Sequence, residues 1–527
     1  MFTQLLQLVL IVGGVALPAL ALAAKPIVAN APAGQFEGDN LGTVNRFLGI
    51  PYAAAPVGNL RWKAPVFPPP ATGVIGAHSF KSPCMQIGGI FGSADPNTFG
   101  HAIGSEDCLY LNVWAPANSK HRPVLLFVHG GAGVAGTGSL NLYDGTNFAA
   151  KANAVYVTIN YRLGVFGGYR LPALADGNSL DDSGDYSLLD IIQALKWVQK
   201  NIAAFGGDGT NITLAGQSSG CVDIHSLFES PVASGTFQKA VCMSGIEGHN
   251  TRDDATRDAT GLVANLLLAD GLISKYKDAA AYIKKVGNTT IQTYLHGKTS
   301  SQILTAANTP IPDWLGGTTK LPIDTQIIDG TVIPMPAKGK STPPIVNVVP
   351  SILSTVKDES GLLVYFRLTA KNFTAKQFWA YDQGNDPKLP SSELMPSFPN
   401  QAVYRAVTSV ADPTLGIVVD RLADKMAATN PSVYRSEFDW KSYPSPWVGL
   451  LGAFHGLDVC FNFDSFSQNQ PNLFNFVTPS PSRQALSDKM LASIRGLMET
   501  GNPNAYLGQY GLNWPAWSQG HNRFFWH

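Results

Sequence analysis

The sequence predicts an α/β fold with a large, mostly parallel central sheet flanked by helices, and three observations carry that prediction. The runs Pro123 to Val128 and Ala154 to Ile159 are apolar and rich in β-branched residues, the composition of parallel strands covered on both faces. Leu188, Ile191, Ile192, Leu195, Val198 and Ile202 then repeat at helical spacing. The third observation is the segment from Phe205 to Gly220, which reads as a loop, a short buried strand over Ile212 to Ala215, and a serine between two glycines. Cys221, Val222, Ile224, Leu227 and Phe228 follow as the apolar face of a helix. Strand, turn and helix are the setting that the G-x-S-x-G pattern of Gly216-Gln217-Ser218-Ser219-Gly220 requires. Its glycines let strand and helix crowd together and push the serine hydroxyl into an exposed, strained turn. Ser218 is therefore the candidate nucleophile.

The rest of the chain bounds the answer. Its 527 residues exceed the usual size of one domain, yet no linker, charge run or repeat divides them, so one large domain over residues 25–527 with long insertions is expected. Residues 5–24 are almost wholly apolar and end in Ala21-Leu22-Ala23-Ala24 before Lys25-Pro26, although no Lys or Arg precedes them. Residues 1–24 read as a secretory signal rather than a retained anchor, because Gly13, Gly14 and Pro18 interrupt the run. An exported protein, extracellular or periplasmic, follows as the expectation, with no stable insertion in a membrane. Charged residues are only 14% and balance at 37 of each sign, which gives no support for nucleic acid or an anionic surface as partner. Five cysteines suit two disulfides and one thiol in such a compartment. Asn288-Thr289-Thr290 and Asn372-Phe373-Thr374 are glycosylation sequons, while Asn211-Ile212-Thr213 adjoins the buried strand and is less accessible.

A serine hydroxyl needs a base to take its proton and donors to hold the oxyanion that forms. His129-Gly130-Gly131-Ala132-Gly133 follows the strand ending at Val128 and could point backbone N–H groups at the reacting carbonyl. In the strand-turn-helix hydrolase order, acid and histidine follow the serine. After Ser218 come His225, His249, His296, His455, His521 and His527. His225 falls in the helix after the serine and the last two in the tail, whereas His455 sits between Phe454 and Gly456 in a loop-like setting and is the best base. Val348 to Val356 has strand character and leads into Lys357-Asp358-Glu359-Ser360-Gly361, which leaves Asp358 and Glu359 as contenders for the acid.

Two long segments resemble the two signatures of the type-B carboxylesterases, the group that also contains cholinesterases and fungal lipases. One is Phe205 to Gly220; the other is Glu106-Asp107-Cys108-Leu109-Tyr110-Leu111-Asn112-Val113. Phe47-Leu48-Gly49-Ile50-Pro51-Tyr52-Ala53, Pro56-Val57-Gly58, Asn160-Tyr161-Arg162 and His455-Gly456 also match, so the resemblance runs from about residue 26 to Trp514-Pro515. The stretch from about 250 to 345 matches poorly.

The resemblance implies an α/β-hydrolase fold and hydrolysis of a small-molecule carboxylic ester through an acyl-enzyme, with no metal or organic cofactor. It implies Ser218 as nucleophile, Glu359 as acid, His455 as base, and the amides of Gly131, Ala132 and Ser219 as oxyanion hole. It further implies a disulfide between Cys84 and Cys108 and a structural ion pair between Arg61 and Glu106. Cys221, Cys242 and Cys460 lie outside these pairings; Cys221 could join either of the others. Three departures bear on substrate. Gln217 stands where relatives often have Glu, Ala132 stands in the glycine loop, and residues 85–107 lack the tryptophan with which cholinesterases hold a quaternary ammonium. Gln217 and the missing tryptophan argue against choline esters, Ala132 alters the space near the acyl carbon, and the low charge with many aromatics suits neutral or apolar esters. A lipase, with Ile87 to Phe91 in a flap, and a non-catalytic binding or adhesion protein on the same scaffold are the alternatives. Acyl and alcohol size and oligomeric state leave no signal.

Overall fold

The computed structural model describes residues 25–312, 318–319, 326–362, 364, 378, 380, 382, 384, 400–466, 474, 477 and 480–527. The expected signal over 1–24 and the sequon at Asn372 lie outside these residues.

The sheet has twelve strands: β1 (Lys25–Ala31), β2 (Gly34–Asn40), β3 (Val44–Pro51), β4 (Val74–Gly76), β5 (Tyr110–Pro116), β6 (Arg122–Val128), β7 (Val155–Ile159), β8 (Gly207–Gln217), β9 (Lys239–Met243), β10 (Ser351–Val356), β11 (Val433–Phe438) and β12 (Phe524–Trp526). Their spatial order is β1-β2-β3-β5-β7-β6-β8-β9-β10-β11-β12, with β4 beside β2. Every neighbouring pair from β7 to β12 is parallel, and the pairs from β1 to β7 along the main path are antiparallel. Sequence had located β6, β7, β8 and β10 to within a few residues, because continuous apolar runs are the mark of strands covered on both sides.

Alternation along β6 shows the two covers directly. Val124, Leu126 and Val128 enter one apolar cluster, together with Leu188, Ile191, Leu195 and Val198 of helix α1 (Tyr186–Asn201) and Ile224 and Leu227 of α2 (Ser219–Glu229). Leu125 and Phe127 point the other way, into a cluster with Met490, Ile494 and Leu497 of α3 (Pro481–Thr500). All three helices are thus held by the faces that the 3.6-residue period selects. The poorly matched stretch carries helices over Arg252–Ala269, Ala279–Val286, Asn288–His296 and Ser300–Asn308, and its described residues from 326 to 345 hold no helix.

Two disulfides brace the fold. Cys84 joins Cys108 and Cys221 joins Cys242, while Cys460 is a buried thiol. The second bridge links α2 to β9, adjacent elements that topology brings together and spacing could not reveal. Arg61 and Glu106 form a two-pronged ion pair, with Nε to Oε2 at 2.7 Å and Nη2 to Oε1 at 2.6 Å. Arg61 Nη1 also donates to the carbonyl of Lys298 at 2.9 Å, so the pair ties the disulfide loop to the helical insertion.

Candidate active site

Four parallel strands, β6, β8, β9 and β10, end on one edge of the sheet, where open α/β sheets place their ligands. Ser218 follows β8 with φ 57° and ψ −124°, a conformation that an L-residue holds only under constraint. The constraint is visible: Ser218 N–H donates to the carbonyl of Met243 at the end of β9 at 2.8 Å, and its own carbonyl accepts from Cys221 N–H at 2.9 Å. A Cβ on Gly216 would lie 2.5 Å from the carbonyl oxygen of Gly220, and one on Gly220 would lie 2.2 Å from that of Val128. Both glycines of the motif are therefore required by close approach, as the sequence pattern predicts.

The glycine loop after β6 passes beside the serine. A Cβ on Gly130 would stand 2.8 Å from Ser218 Cβ. Gly131, Ala132 and Gly133 all have positive φ, at 125°, 55° and 62°. Tyr161 fixes the start of this loop by donating its hydroxyl to the carbonyl of His129 at 2.8 Å, and Gly164 N–H holds the carbonyl of Gly133 at 2.7 Å. His129 packs on the Tyr161 ring, and burial lowers its pKa to about 4, so it stays neutral. Further along, Gln86 of the first disulfide loop exchanges two hydrogen bonds with Gly136, both 2.8 Å. Ser219 opens α2, where first-turn N–H groups have no partner within the helix.

Glu359 and His455 meet across 96 positions of sequence: His455 Nδ1 lies 2.6 Å from Glu359 Oε2. The other carboxylate oxygen of Glu359 accepts from Val356 N–H at 2.9 Å, which fixes its orientation, and both residues are buried. Asp358 turns the other way. Its Oδ2 accepts from Ala453 N–H at 2.8 Å and lies 3.2 Å from Lys441 Nζ, and Arg405 pairs with Oδ1. Asp358 thus clamps the strand-like segment that carries His455, a role the sequence did not disclose because adjacent acids look alike there. Also unforeseen is the contact of Gln217, whose Nε2 lies 3.2 Å from His455 Nε2.

Asp458, on the short helix after His455, is buried with neither carboxylate oxygen hydrogen-bonded. Burial, and then the charge of Glu359, push its pKa up to about 7. A carboxyl raised in this way favours the fold in its protonated form. Its stabilising effect is full below the unfolded value near pH 4 and is lost as pH rises to about 7. Asp458→Asn, neutral throughout, is expected to gain about 4 kcal/mol on the wild type between pH 4 and pH 8, read from urea unfolding midpoints.

Similarity to known proteins fixes the family and the fold. The carboxylesterase family model matches residues 25–525. Human cocaine esterase is 30% identical over 520 residues, covering 92% of this chain and 83% of that protein. The para-nitrobenzyl esterase of Bacillus subtilis is 39% identical over 249 residues, a stretch that is 47% of this chain but only half of that protein. Among solved structures, a Geobacillus stearothermophilus carboxylesterase superposes with a TM-score of 0.69 at 29% identity, covering 95% of this chain and 96% of that one. With the match spanning nearly the whole chain, the protein belongs to the carboxylesterase family of carboxylic ester hydrolases.

Proposed function

We propose that the protein is an exported serine esterase that works through an acyl-enzyme on neutral or apolar esters. Ser218 attacks the ester carbonyl as His455 Nε2 takes its proton, and the amides of Gly131, Ala132 and Ser219 receive the oxyanion. His455 then returns the proton to the leaving alcohol. Glu359 holds Nδ1–H and stabilises the imidazolium, and water repeats the cycle to release the acid. The observation that carries this reading is the 2.6 Å contact of His455 Nδ1 with Glu359, opposite the nitrogen that must face the serine.

The two disulfides support an oxidising compartment, and among the described residues no helix is long and apolar enough to cross a membrane. The loop between Cys84 and Cys108 favours an esterase over a lipase: Gln86 ties its base to Gly136, and Ile90 is buried rather than displayed on a flap. Hydrolysis of p-nitrophenyl esters from acetate to palmitate tests both points. Highest kcat/KM on short acyl chains, with no jump as substrate passes its solubility limit, is expected. Interfacial activation on long chains would overturn the esterase assignment, and an absence of turnover by folded protein would overturn the mechanism.

A further inference from the structure

The second disulfide closes a ring around the candidate nucleophile. Ser218 N–H donates to the carbonyl of Met243 at 2.8 Å, and Met243 follows Cys242 on β9. Cys242 is bridged to Cys221 in the first turn of α2, and Cys221 N–H returns to the carbonyl of Ser218 at 2.9 Å. One covalent link and two hydrogen bonds thus enclose the residue held at φ 57° and ψ −124°. The register of β8 with β9 sets Gly216 opposite Cys242 and Gln217 opposite Met243. One end of the bridge therefore stands beside the chain just before Ser218, and the other end just after it.

The packing around the bridge is tight. Cys221 and Cys242 are 0% and 2% exposed, and a Cβ on Gly245 would stand 2.6 Å from Cys221 Sγ, so the chain after β9 passes the bridge only because it is bare there. A strained backbone persists where its surroundings over-determine it. The two hydrogen bonds lengthen if α2 slides against β9, and the covalent link limits that slide. Ser219, whose amide the mechanism assigns to the oxyanion, lies inside the same ring, so nucleophile and donor are held together.

We propose that the Cys221–Cys242 bridge is a positioning element of the ester hydrolysis: by fixing α2 against β9 it keeps Ser218 and the Ser219 amide in place before His455, and full activity requires it closed. The inference rests on Ser218 as the nucleophile. Closure turns two thiols into one disulfide, with two electrons and two protons passing to a disulfide oxidant such as glutathione disulfide, which becomes two thiols. A chain still reduced is then a weak esterase that gains activity on oxidation.

The test compares wild type with Cys221→Ala/Cys242→Ala and with Cys221→Ala/Cys242→Val, which breaks the link but restores part of its volume, all well below their melting temperatures. Both double variants are expected to lose about tenfold in kcat for p-nitrophenyl acetate, with KM changed less than twofold, because small displacements of reacting groups cost rate rather than binding. Deuterium uptake within seconds to minutes, too brief for global unfolding, is expected to rise in the peptide that contains Gly216 to Gly220 and not in β6. Wild type made in a reducing cytoplasm should gain kcat in step with closure of this pair by glutathione disulfide, counted by thiol alkylation and mass spectrometry. Wild-type kcat in the Ala/Ala variant, full recovery in the Ala/Val variant, or a reduced wild type as active as the oxidised one would overturn the proposal. Should the variants fail to fold, the oxidation series decides it. Deuterium uptake needs no turnover, so a failure of the clamp is told apart from a failure of the Ser218 mechanism, which shows as turnover that survives Ser218→Ala.

Discussion

Replacing Ser218 with alanine is expected to lower kcat for p-nitrophenyl acetate by about a million-fold, the loss seen when the nucleophile of a serine hydrolase is removed. The change deletes one oxygen and keeps the backbone contacts that define the turn, the 2.8 Å bond to Met243 and the 2.9 Å bond from Cys221. Unfolding midpoints should therefore match the wild type, and KM should move little. Residual turnover, about a thousandfold over water, belongs to the amides that hold the oxyanion and to binding alone. A loss of only tenfold would mean that another group, such as the neighbouring Ser219, attacks the ester.

Glu359→Gln comes next in size, with an expected loss of about ten-thousand-fold in kcat at neutral pH. The amide is nearly isosteric, and its oxygen can still accept from Val356 N–H, which lies 2.9 Å from Glu359 Oε1 in the wild type. Its nitrogen then faces His455 Nδ1 as a donor. That forces the imidazole proton onto Nε2, the atom that must accept from Ser218, so geometry survives and the tautomer is wrong. The two variants differ in a second readout. Glu359→Gln retains Ser218, so slow labelling by a fluorophosphonate persists, whereas Ser218→Ala abolishes labelling altogether. Equal kcat for Glu359→Gln and wild type would remove Glu359 from the mechanism.

Much of this architecture could be read before any coordinates because its signals are local. The strands β6, β7 and β8 announce themselves as apolar runs, α1 by its period, and Ser218 by glycines at which an added Cβ would stand 2.2–2.5 Å from a carbonyl oxygen. His455 could be reached by elimination along the chain. What stayed hidden depends on tertiary approach. Asp358 and Glu359 are neighbours of the same charge, and only the fold reveals that one faces Ala453 and the other His455. The partner of Cys221 follows from the adjacency of α2 and β9, which no spacing encodes. Gln217 was legible as a lost negative charge but not as a contact of the imidazole.

The mechanism stands on transfer of the ester's acyl group to Ser218 Oγ as the alcohol leaves. Acid-quenching the enzyme within milliseconds of mixing with p-nitrophenyl acetate, followed by peptide mass spectrometry, tests it most directly. An acetyl adduct is expected on the peptide that contains Gly216 to Gly220, localised by fragmentation to Ser218 and absent from Ser218→Ala. An adduct on Ser219 or on another residue, or undiminished turnover with no adduct at any quench time, would contradict it.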